Sequence, residues 1–176
     1  MQEPHTKSGT AKKIIEFLDR VETTVTTLAF VVLVAAIFAD VLAREFTGTG
    51  LHWARQVGVY ANIIVVMLGI GVASARAGHL RPRFADSWLP ARWEPLLETL
   101  KDLVMAGFCL VFAGLAAKVT LDALLLQERS VLIGILIWPI LAVIPLAFIL
   151  AAIRHLIYAL TPGLRPADPL SRPIQE

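Results

Sequence analysis

A chain of 176 residues with a formal net charge of +2 has room for one domain and too little positive charge to suggest a nucleic-acid partner. Its composition, 57% hydrophobic and 17% charged with a mean hydropathy of +0.71, lies outside the range of soluble domains and points to a bilayer as solvent. The single cysteine, Cys109, excludes an intramolecular disulfide and reads as a small core residue.

In chain order, Met1 to Gly9 is polar and reads as a loose end. From Thr10 onward Ile14, Phe17, Leu18, Val21 and Val25 recur at helical spacing, with Lys12, Lys13, Glu16, Asp19 and Arg20 on the remaining circumference. The pattern predicts an amphipathic helix in the cytoplasmic membrane interface, or a helical extension of the span that follows. A hydrocarbon core about 30 Å thick takes roughly 20 apolar residues per helix. Uncharged runs near that length extend from Thr23 to Ala39, Gln56 to Ala75, Leu103 to Ala117 and Ser130 to Ile153. The third lengthens at both ends because Lys101 and Lys118 can snorkel to the interface.

The expected fold is therefore all-α, an integral membrane four-helix protein with an N-terminal amphipathic interfacial helix. The spans lie near 23–43, 56–75, 97–120 and 132–156 and form one domain over 23–160. A cytoplasmic segment, 1–22, precedes it, and a Pro-rich tail, 161–176, follows. No small-x-small cleavage site follows the first run, which is longer than a signal-peptide core, so it is expected to remain as the first helix. Thr47 to Gly50 reads as a tight outer turn.

Charge placement predicts orientation. Of the 16 Lys and Arg residues, 12 fall before the first span, between the second and third, or after the fourth; Arg44, Arg55, Lys118 and Arg129 fall on the other side. The positive-inside rule then places both termini in the cytoplasm. The burst of Arg76, His79, Arg81 and Arg83 after an uncharged helix is part of that signal, and Trp88 and Trp93 suit a headgroup-level anchor.

Within the spans, Gly58 and Asn62 are four residues apart and Gly107 and Gly114 seven apart, spacings that let helix backbones approach. Pro139 and Pro145 predict kinks in the fourth span. Asp40 lies roughly 26 Å along a helix from Thr23, near the outer interface, with Arg44 one turn further on the same face. The pair reads as a structural clasp rather than a transport site. Asn62, two turns into the second span, is expected to bond a neighbouring helix. His79 and His155, both near the cytoplasmic edge, are the one histidine pair that could hold haem between helices. No metal-ligand spacing, phosphate loop, nucleophile elbow or deep carboxylate pair stands out, so neither a cofactor nor an enzymatic activity is expected.

The run ADVLAREF from Ala39 to Phe46, then Leu51, His52 and Trp53, then LGIGVASARAGHLRPRF, then Leu89 and Pro90, then a last span with two prolines resembles the small membrane subunit of TRAP transporters, the DctQ-like family. The resemblance covers roughly Val21 to Leu160 and rests on order and spacing. It implies a non-catalytic scaffold in the bacterial inner membrane, contacting lipid, a large polytopic subunit and a periplasmic solute-binding protein. The large subunit would carry the solute and sodium sites for import of an organic acid. It also implies that Asp40, Arg44, Trp53 and His79 match family positions, with His79 and Arg81 meeting lipid headgroups or the large subunit. Where the family commonly has acidic residues after that tryptophan, this chain has Ala54, Arg55 and Gln56, which reverses the charge of a partner-facing spot. Two other classes fit the composition: a small haem-binding redox protein using His79 and His155, and a self-associating structural membrane protein.

Overall fold

The computed structural model describes the backbone of residues 5–76 and 94–164, and side chains over 11–73 and 96–164. Expectations for His79 and Arg81 lie outside the described residues. Among the described residues four apolar helical segments are long enough to cross a membrane: Ala11–Thr47, His52–Ala73, Leu96–Leu125 and Trp138–Leu160. Among the described residues the regular structure is helical, with one isolated bridge between Arg129 and Leu136.

Helix α1 spans His5–Thr47 and α2 spans His52–Arg76. The turn between them is the predicted one. Gly48 there has a φ of +72°, a region open to glycine at little steric cost, and donates its N–H to the Arg44 carbonyl at 3.0 Å. The amphipathic N-terminal stretch is not a separate element: α1 is helical without a break from His5, so the end expected to be loose is partly helix. Its 43 residues make it about 65 Å long, twice a hydrocarbon core. Lys12, Lys13, Glu16 and Arg20 are exposed along its first turns.

Helix α3 spans Glu94–Leu125. The apolar run from Ser130 does not continue as helix, and the fourth span begins at Trp138 rather than near residue 132. Gly134 at φ +72° turns the chain back, and Ser130 and Gly134 close the turn through N–H donation to the Ile135 and Ser130 carbonyls, both at 2.8 Å. The fourth span is two helices, α4 over Trp138–Leu141 and α5 over Val143–Leu160. Only one of its prolines interrupts it. Pro139 occupies the first turn of α4, where a missing N–H is harmless. Pro145 removes the donor that would reach the Leu141 carbonyl, and the break falls at Ala142.

The helices pair as hairpins, α1 with α2 and α3 with α5, and the hairpins meet mainly along α2 and α5. Small residues fill the contacts: Ala29 and Ala36 on α1, Ala54 and Ala61 on α2, Ala106, Cys109 and Ala113 on α3, and Ala152 on α5 are buried. Gly58 packs on Ile37 and Leu33 of α1, where an added Cβ would lie 3.5 and 3.8 Å from their side chains. Gly107 and Gly114 meet nothing within 4 Å, so they do not mediate contact within the chain.

Candidate functional site: two ionic layers in the helix bundle

The outer layer is built on the α1 to α2 turn. Arg44 Nη2 donates to Asp40 Oδ2 at 2.7 Å, one helical turn away, and Arg55 Nη2 from α2 lies 3.9 Å from the same oxygen. The Asp40 side chain is 9% exposed, whereas both arginines are more than half exposed. Gly50 seats the chain against this carboxylate: a Cβ there would fall 2.6 Å from Asp40 Oδ1. The contact expected between Asp40 and Arg44 is present, with Arg55 as an added member. Ala54 is fully buried, and its neighbour Arg55 reaches a carboxylate of this chain.

Trp53 lies at the same end and is exposed. Among the described residues Asn62 makes no bond to a neighbouring helix. It is exposed on α2 and lines a groove between α1 and α2 that also includes Leu33, Ile37, Asp40, Arg55 and Gly58.

The inner layer was not expected. Arg154 on α5 is wholly buried; its Nη2 donates to Glu22 of α1 and its Nη1 to the backbone carbonyl of Gly71 on α2. Glu22 is 2% exposed. Gly71 is required there, since a Cβ would sit 2.9 Å from Glu22 Oε1 and 3.0 Å from its carboxyl carbon. The next residue of α5, His155, turns the other way: its Nδ1 lies 3.3 Å from Asp102 Oδ1 on α3, and its ring meets Tyr158 edge to face with centroids 6.3 Å apart. Successive helical residues differ by about 100° in direction, so Arg154 and His155 reach opposite hairpins from one step of α5. All four spanning segments contribute to this layer.

Arg154 is therefore not a loop charge, as its place after the uncharged run suggested. The helix continues through apolar Leu156, Ile157 and Tyr158 to Leu160 and carries the arginine inside. A signal was present in α1: Glu22, Ala29 and Ala36 recur every seven residues and all are buried. His155 is committed to Asp102 through Nδ1, and among the described residues no group of three or more His, Cys, Asp and Glu side chains could hold a metal ion.

What the two layers can do is hold helices at fixed height and rotation. No curated protein and no solved structure matches the chain. The family model of the DctQ component of tripartite ATP-independent periplasmic transporters matches residues 33–163, from the middle of α1 past the end of α5. That stretch takes in three of the four spans whole and the outer ionic layer. The chain belongs to the DctQ family, the small membrane components of TRAP transporters.

Proposed function

We propose that this chain is the scaffold subunit of a sodium-coupled, binding-protein-dependent importer of organic acids in a bacterial inner membrane. A large polytopic subunit then moves the solute, and a periplasmic binding protein delivers it. Both termini and the exposed basic turns of α1 face the cytoplasm on this reading. The observation that carries it, beside family membership, is that the buried acids Glu22 and Asp40 are each paired with an arginine of this chain. Glu22 with Arg154 and Asp40 with Arg44 tie helix to helix or turn to turn, as a rigid support requires.

The first test is purification of the tagged chain from its native membrane in mild detergent, with co-purifying proteins identified by mass. A stoichiometric polytopic partner is the expected result, and recovery of the chain alone would overturn the reading. Asp40→Ala or Arg44→Ala should lower transport several-fold in reconstituted vesicles while leaving the order of preferred solutes unchanged. A changed order would assign Asp40 or Arg44 to solute selection.

A further inference from the structure

Along α2, Arg55, Val59, Asn62, Val66 and Ile70 are all exposed and recur at intervals of three and four, so they form one outward stripe. Within it Asn62 is anomalous. It lies about 10 Å along the helix from Arg55 and about 14 Å from Gly71, near half-way between the two ionic layers. Among the described residues its amide has no hydrogen-bond partner. At that depth water is absent and acyl chains offer neither donor nor acceptor, so a lipid-facing carboxamide is unfavourable. Beside it runs the groove of about 430 Å³ floored by Gly58 and walled by Leu33 and Ile37 of α1.

We propose that this groove seats a transmembrane helix of a different subunit, which brings a hydrogen-bonding side chain to Asn62 and an acidic or carbonyl acceptor to Arg55. The proposal rests on the reading that the chain works beside a large polytopic subunit, and it names the face and the residue that meet it. An apolar lipid tail fails because it cannot satisfy the amide. A second copy fails on charge: two copies inserted in the same direction about an axis normal to the membrane would set Arg44 and Arg55 against Arg44 and Arg55 at one depth. Arg55, 57% exposed and only loosely paired with Asp40, keeps donors free for an acceptor on the partner.

The test places a photo-crosslinking amino acid at Val59 or Val66 on the stripe, and separately at Val104 or Val111, exposed residues of α3 that flank Gly107. Irradiation is done in native membranes carrying the whole transport system. Crosslinks to the large subunit from Val59 and Val66, and not from the α3 positions, are expected. Crosslinks to it from α3 alone overturn the proposal while leaving the subunit reading intact. Crosslinks only to lipid, or to a second copy, also overturn it.

Asn62→Leu should reduce recovery of the large subunit in detergent about three- to tenfold, the range of one interhelical hydrogen bond in a membrane, and Asn62→Gln should restore it. Because Asn62 is exposed and unbonded among the described residues, the Leu variant should unfold at the wild-type temperature. Unchanged recovery with Leu at 62 overturns the role of the amide.

Discussion

Two arginines about one hydrocarbon thickness apart illustrate how burial decides the worth of a charge. Arg44 is 58% exposed and Arg55 remains near the same carboxylate, so removing Arg44 should cost at most about 1 kcal/mol. Arg154 is 0% exposed, and Arg154→Met would leave Glu22 buried and uncompensated, a loss of about 3–5 kcal/mol. Adding Glu22→Leu to that variant should recover much of the loss, because it removes the orphaned acid. Thermal unfolding in detergent of the two single variants and the double checks this, and strictly additive losses would show that the two groups do not interact. Gly71→Ala forces a methyl group against the Glu22 carboxylate and should cost about 1–3 kcal/mol in the same assay. The Asp40 clasp was legible in the sequence because its partners are four residues apart on one helix. The Glu22 clasp was not, since its partners are 132 residues apart and each resembles an ordinary flanking charge when read alone.

At the scale of the element, apolar length located the helices but not their ends. Between Ser130 and Ile153 every residue is uncharged, and hydropathy alone cannot separate a turn from a helix there. The division comes from backbone conformation, with Gly134 at positive φ on one side and Pro139 in the first turn of α4 on the other. Pro145 has a different role. Its ring takes away one ladder bond and divides the span at Ala142, where the next available bond, from Leu146 N–H to the Ala142 carbonyl, is long at 3.3 Å. Pro145→Ala should restore a donor to the Leu141 carbonyl and raise local opening free energy by about 1 kcal/mol. Hydrogen exchange would then slow several-fold at the amides of residues 143–147, and unchanged exchange would place the cause of the break elsewhere. The N-terminal pattern was ambiguous for a related reason: helical periodicity of Ile14, Phe17 and Val21 is the same whether that helix stands alone or runs on into a span. α1 runs on.

For the whole molecule, the ionic layers act as a pair. Glu22 and Asp40 are 18 residues apart on α1, about 27 Å, close to one hydrocarbon thickness, and the alanine-lined core lies between them. Burial of Arg154 removes one cation from the tally on the terminal side, yet the bias toward that side survives. Two Lys residues inserted into the turn at 48–49 should therefore reduce correctly oriented chains, read as altered labelling of cysteines placed at Thr49 and in the C-terminal tail. Normal labelling would show that packing rather than charge sets orientation. The span of the Glu22 to Arg154 bond has a meaning for biosynthesis. At about 5–20 residues per second, the ribosome needs roughly 7 to 26 s to advance from Glu22 to Arg154. Throughout that interval Glu22 lacks the arginine that pairs it in the folded chain. A chain terminated before α5 lacks the arginine that pairs that acid, so the last helix to be made is the one that neutralises the first.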